Sequence, residues 1–278
     1  MCKINLLLII MSYLKIFFLM LCMILVSCTG QKTGKENDNN DKIAIEVGEI
    51  KFPPQDVLQL KSYYLSSSVH VDSIDYLIGY NYRLHSLDCM NLKSKSVTQI
   101  VLPGDGPDAI VRLSGIYAQS LDSVWISDES ERAFLIDSVG TIKRMIDLKK
   151  YLEDQEQLLI NTNYAMFTSH LFYNASRHSL MFLVKHTPSN TFIVKEAFID
   201  EVGKMATYQL SSSKVVPDMS KGYAYINFPN VNFVGENIVY NYPVESSIYM
   251  LDIRTNERKY ILADSHYTSN IIEKCTTS

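Results

Sequence analysis

The sequence lacks the signatures that mark most hydrolases and nucleic-acid binders. It contains no H-E-x-x-H, no G-x-S-x-G and no C-x-x-C, so the common zinc-protease, serine-hydrolase and paired-thiol patterns are missing. It has no basic excess either. Lys and Arg number 26 against 30 Asp and Glu, the formal net charge is −4, and no basic stripe exists to neutralise phosphates, which excludes nucleic acid as a partner. Cysteine is scarce: of five, Cys2 and Cys22 fall in an apolar N-terminal stretch, Cys28 ends it, and only Cys89 and Cys275 remain. Two cysteines so far apart allow a single bridge or a buried free thiol, but no disulfide framework. Among six histidines, His170, His178 and His186 recur at intervals of eight. A zinc site usually places a ligand pair within about two to five residues, so no metal site is expected, and no cofactor motif is present.

What is present begins at the N-terminus. Lys15 closes a short start, Ile16 to Leu25 is an unbroken apolar run (IFFLMLCMIL), and Leu25-Val26-Ser27-Cys28 follows. This is the layout of a secretory signal ending at a small residue before a cysteine. It resembles the bacterial lipobox, in which that cysteine is lipidated and becomes the first residue of the mature chain. An uncleaved spanning helix is the competing reading of Ile4 to Val26, and Lys15 inside the span argues against it. Residues 1–27 are thus expected to be a lipoprotein signal peptide and Cys28 the lipidation site, with the bilayer as partner. Removing 1–27 takes away Lys3 and Lys15, so the basic count falls from 26 to 24 against 30 acidic residues, a charge of −6. Residues 28–42 (CTGQKTGKENDNNDK) hold no large apolar side chain; they read as a flexible tether that sets the body about 20 Å from the membrane. Cys28 is followed by Thr29 and Gly30, without the aspartate that retains enteric lipoproteins at the inner membrane, so the expected location is the outer membrane.

Residues 43–278 carry a weak internal repeat. Four copies start at Asp75, Asp122, Ser179 and Asn237. Each runs strand, polar turn, strand ending near Asp, turn, and a third strand rich in Lys, Thr and aliphatics. In the second, VWISD, AFLID and TIKRMIDL alternate as half-buried strands around ESER and SVG turns. An innermost strand precedes the later copies: GIYAQS, HLFYNAS and VNFVGE. Short-strand repeats at this period predict propeller blades, which must stack because four strands cannot bury both faces alone. The fold class is therefore all-β, a β-propeller of about four recognisable four-stranded blades, with an early strand around Ile43 to Phe52. One helix is predicted over Leu148 to Leu159, from the spacing of Leu148, Leu152 and Leu159.

GDGPDAI followed by DSVWISD, AFLID and SVGTIKRMIDL resembles the six-bladed β-propeller lipoproteins of Bacteroidetes, and YLIGYNYRLHSLD with LPGDGPDAI is most similar to an uncharacterised lipoprotein family of that phylum. The resemblance implies a propeller from about Ile43 to Glu273. It implies no catalytic residue. Chains of that type run about a hundred residues longer, so this one reads either as a four-bladed ring or as a C-terminally truncated, incomplete one.

Chemistry could sit at Val101 to Leu113 (VLPGDGPDAIVRL). No Lys-Ser or Lys-Thr follows Gly106 and no ladder of oxygen ligands is present, so neither a phosphate loop nor a calcium loop fits. Gly104, Gly106 and Pro107 suit a chain reversal. In the resembled propellers this turn joins an outer strand to the next inner strand at the channel mouth. Asp105, Asp108 and Arg112 are the candidate ligand contacts. Asp88, Asp128, Asp137 and Asp252 at strand ends read as turn aspartates. The aromatic connection Ser220 to Phe233 either stacks on a ligand or packs between blades. The functional expectation is a membrane-anchored binding module for an envelope protein, a glycan or a small nutrient. The alternatives are an envelope enzyme acting on glycans or peptides, which would need paired carboxylates in a deep cleft, and a fragment without function of its own.

Overall fold

A computed structural model of the chain describes residues 48–52, 63–159, 171–214 and 228–263. Cys28, the signal and tether, His170, Ser220 to Ile226 and Cys275 lie outside the described residues. The fold is all-β. Blade 1 comprises β1 (Ser66–Val71), β2 (Ile74–Asn81), β3 (Ser86–Asn91) and β4 (Val97–Val101). Blade 2 comprises β5 (Leu113–Ser120), β6 (Ser123–Asp128), β7 (Arg132–Ile136) and β8 (Ile142–Asp147). Blade 3 has β9 (Glu156–Leu158), β10 (Leu171–Asn174), β11 (Ser179–His186), β12 (Thr191–Phe198) and β13 (Met205–Gln209). Blade 4 has β14 (Asn230–Val234), β15 (Asn237–Asn241), β16 (Ser247–Asp252) and β17 (Arg258–Leu262). Strands within each blade pair in sequence order, all antiparallel, except that β9 pairs with β11 beside β10.

The first strand of each blade lies nearest a common axis. The Ser67 hydroxyl of β1 accepts from the Ala118 amide of β5 at 3.0 Å. Tyr117 of β5 packs edge-on against Phe172 of β10 at 4.9 Å, and Phe172 stacks on Phe233 of β14 at 4.4 Å. Three apolar cores fill the gaps between neighbours. Ile78, Leu87 and Ile100 meet Ile116, Ile126 and Phe134 between blades 1 and 2. Trp125, Ala133 and Leu148 meet Leu171, Leu180 and Phe182 between blades 2 and 3. Leu183 and Val194 meet Ile238, Tyr240 and Leu251 between blades 3 and 4. Strand periodicity makes this possible, because alternate residues of one blade serve different neighbours. Among the described residues, no core joins blade 4 to blade 1.

The expected helix over Leu148 to Leu159 does not form. Leu148–Tyr151 is a single 3-10 turn, begun by the Asp147 carboxylate accepting from the Lys149 amide, and β9 follows. Leu148, Tyr151 and Leu158 still enter the core between blades 2 and 3. The free edge of β11 overrides local helical spacing, since β9 and β10 together pair along that edge, opposite Val184–His186 and Ser179–Phe182. β9 and β10 thus share one edge of β11. The early strand expected around Ile43 to Phe52 is not found in its described part, Gly48 to Phe52. The inner strand of blade 1 is instead Ser66–Val71.

Asp128, Asp137 and Asp252 behave as turn aspartates. Asp128 accepts from the Ser130 and Arg132 amides, and Asp252 from those of Arg254 and Thr255. Lys143 at 2.7 Å, with the Thr141 and Val139 amides, holds the Asp137 carboxyl down at about 2. Asp88 departs from that expectation: it lies inside β3, fully buried, and Asn91 caps the turn by accepting from Lys93 and Ser94. The Asp88 carboxylate accepts from Tyr63, Asn81 and Gln99 at 2.6, 3.0 and 2.6 Å. The Tyr63 ring covers Gly79 so closely that a β-carbon there would fall 2.3 Å from it.

Cys89 is a buried free thiol. Burial, with the Asp88 charge beside it, pushes the thiol up to about 11, so little thiolate is available to react. Iodoacetamide at about pH 8 should leave the Cys89 peptide unmodified in the folded chain and alkylate it in guanidinium, as read by peptide mass mapping. Rapid native alkylation would show that this core opens.

Candidate functional site

In a four-stranded antiparallel blade, the turn between its second and third strands and the loop leading to the next blade lie at the same end. Blade 1 therefore brings the β2–β3 turn, which holds Tyr82 and His85, alongside the loop from β4 to β5 that carries the GDGP stretch. Between them opens a cleft of about 640 Å³ lined by Tyr80, Tyr82, His85, Gly104, Ile110, Val111 and Arg112. It lies over the junction of blades 1 and 2.

The cleft is built around His85, a non-glycine residue in the left-handed region at φ 50°. Its carbonyl accepts from the Leu102 amide at 3.0 Å, which fixes the turn against the start of the loop. Its Nε2 lies 2.7 Å from the Ile110 carbonyl and its Nδ1 lies 3.0 Å from the Tyr80 hydroxyl. A carbonyl can only accept, so Nε2 carries a proton, and in the neutral ring Nδ1 accepts from Tyr80. The imidazole is a strut between blade 1 and the loop that leads to blade 2. Burial raises the Tyr80 phenol above its usual range, against the Leu113 amide and the Arg112 charge, which lower it.

The loop is held from beneath. The Ile110 amide donates to the Pro103 carbonyl at 2.7 Å, and the Ala109 carbonyl accepts from Arg132 at 2.7 Å. Arg132 also pairs with the buried Asp128 at 2.8 Å. Gly106 adopts φ +90°, a conformation that explains glycine within the reversal.

Arg112 lines the cleft with its side chain 51% exposed, and its Nε lies 3.6 Å from Glu129. Its terminal nitrogens have no partner among the described residues. Tyr82 is 54% exposed at the rim. Asp105 and Asp108 are exposed on the same loop and do not line the cleft. Of the three candidates picked from this loop, the structure thus brings Arg112 to the cavity, with Tyr80, Tyr82 and His85. Those three lie more than twenty residues earlier, and their link to the loop is topological. No carboxylate side chain is among the lining residues. Elsewhere, among the described residues, no group of three or more His, Cys, Asp or Glu is placed to hold a metal. His178 pairs with Asp200 and His186 with Ser189. Phe228 packs edge-on against Phe192 and Phe233 stacks on Phe172, so this described end of the aromatic connection packs on blades.

Four stacked antiparallel blades around one axis make the chain a β-propeller module. It is similar to the solved structure of a DUF4221 family member from Bacteroides vulgatus, with 13% sequence identity, a TM-score of 0.55, and coverage of 79% of this chain and 63% of that one. The chain therefore spans less than two thirds of the length of that protein. It is also similar to the WD40 domain of SCAP from fission yeast, with 10% identity, a TM-score of 0.43, and coverage of 77% of this chain and 56% of that one. No family model matches the chain, and none of the curated proteins does.

Proposed function

We propose that the protein is a lipid-anchored β-propeller of the bacterial cell envelope that binds a small ligand, or an exposed group of a partner protein or glycan, in the cleft over blades 1 and 2. Residues 1–27 act as the signal peptide, Cys28 carries lipid, residues 28–42 are the tether, and the body from residue 43 faces the aqueous side of the outer membrane. The cleft carries the binding reading. It combines an exposed aromatic ring, a guanidinium whose terminal nitrogens have no partner among the described residues, and a wall preset by His85, a mixture of apolar surface and few placed polar groups typical of ligand sites. A lining without paired carboxylates favours binding over hydrolysis. We also read the four blades as part of a six-bladed ring. The face of blade 4 turned from blade 3 supports this, for Val239, Ile248, Met250 and Ile261 join none of the inter-blade cores and Ile261 is 53% exposed.

Anchoring is tested by fractionation and palmitate labelling. Wild type should be labelled and sediment with membranes, and Cys28→Ser should be unlabelled and released. An unlabelled wild type would overturn the anchor. Binding is tested by a saturation-transfer screen of small ring-bearing solutes. Tyr82→Ala should weaken true hits roughly tenfold, the scale of one lost aromatic stack; hits indifferent to Tyr82 would show that the cleft is not the site.

A further inference from the structure

We infer that the cleft takes a singly charged carboxylate carried on a ring, a ligand class that rests on the cleft being the binding site. The first ground is the count of charge. Arg112 is the one cation among the lining residues. Glu129 approaches its Nε at 3.6 Å, leaving the two terminal nitrogens side by side with no partner among the described residues. That edge matches the two oxygens of a carboxylate, and a planar two-point contact is the strongest form of such a pair.

The second ground is what the neighbours withhold. His85 engages the Ile110 carbonyl through Nε2 and the Tyr80 hydroxyl through Nδ1, so it offers a ligand no free donor. Glu129 already offsets part of the Arg112 charge, so a phosphate dianion would keep more uncompensated charge in this seat than a single carboxylate does. Exposed Asp105 and Asp108 on the same loop add like charge that repels polyanions. The third ground is the rim. The exposed Tyr82 ring and the 40% exposed Val111 supply an apolar flank beside the guanidinium, suited to a ring that bears the carboxylate.

The test uses the full chain with benzoate, its neutral isostere benzamide, and inorganic phosphate, followed by saturation-transfer titration. Benzoate should bind about tenfold or more tightly than benzamide, as one charge-assisted pair predicts. Arg112→Gln should erase that ratio, Arg112→Lys should keep part of it, and Tyr82→Ala should weaken both ligands together. Equal affinity of wild type for benzoate and benzamide, with both still weakened by Tyr82→Ala, would overturn the carboxylate assignment and leave the cleft as a binding site. Phosphate displacing benzoate at equal concentration would overturn it in favour of a tetrahedral anion. No saturation by either aromatic probe would overturn the cleft reading and the inference with it.

Discussion

Glu156→Gln should destabilise the folded chain by about 3 kcal/mol, at the lower end of the cost of stranding one member of a buried ion pair. Lys195 is 0% exposed in the middle of β12, and its ammonium lies 2.5 Å from Glu156, itself 4% exposed. Both groups sit on the blade 2 side of blade 3, where little water reaches them. Glutamine keeps the shape of Glu156 and removes its charge. Glu153, 3.4 Å from Lys195 and 66% exposed, compensates in part, which is why the lower figure is expected. The double variant Lys195→Met with Glu156→Leu should be neutral or more stable, since replacing both ions with apolar groups removes the desolvation cost along with the attraction. Guanidinium unfolding followed by circular dichroism separates these outcomes. A single variant costing under about 1 kcal/mol would mean the pair is solvated and contributes little.

Most of the fold is legible because each blade solves the same local problem. The alternation in VWISD and AFLID, the turn aspartates, and the inner strands GIYAQS, HLFYNAS and VNFVGE correspond to observed elements. The misses have physical causes. Ser66–Val71 (SSSVHV) has only two aliphatic residues and no strong strand signal; it is a strand because β2 offers an edge along its whole length. The Leu148, Leu152 and Leu159 spacing looks helical, yet an open edge of β11 makes a strand there the better solution. Lys195 and Glu196 read as one polar pair in sequence. In a strand they point to opposite faces and are both fully buried: Lys195 meets Glu156, while Glu196 meets Arg177 at 2.8 Å and Tyr208 at 2.7 Å. Burial and Glu196 together push the Tyr208 phenol upward.

The cleft was only half legible. Arg112 belongs to a loop that glycine and proline make conspicuous, but Tyr80, Tyr82 and His85 carry no local motif. What joins them is the up-and-down order of a blade, which returns its middle turn to the end where the next blade begins. That rule pairs YNYRLH with GDGPDAIVR from the strand order alone. Asp88 misled for the opposite reason: its position near a strand end resembled a turn, while the shape of the turn assigned that role to Asn91.

Trp125→Ala should cost about 3–5 kcal/mol. The side chain is 2% exposed, stacks on Tyr173 at 5.9 Å with 23° between the rings, and belongs to the core between blades 2 and 3. Truncation removes the largest side chain of that interface and leaves a cavity bounded on both sides by strands already fixed in register, so the site can collapse only partly. Trp125→Phe should recover the greater part, because a ring remains to stack on Tyr173. As the chain's single tryptophan, Trp125 also reports on this interface in the wild type. Its emission should be blue-shifted and shielded from acrylamide, shifting red only with global unfolding. The cleft lies one interface away, over blades 1 and 2, and shares no lining residue with this core. In conditions where Trp125→Ala is still folded, ligand affinity at Arg112 should therefore be unchanged. Parallel loss of stability and affinity would show that the two interfaces behave as one unit. Loss of stability alone would place binding within a locally rigid pair of blades.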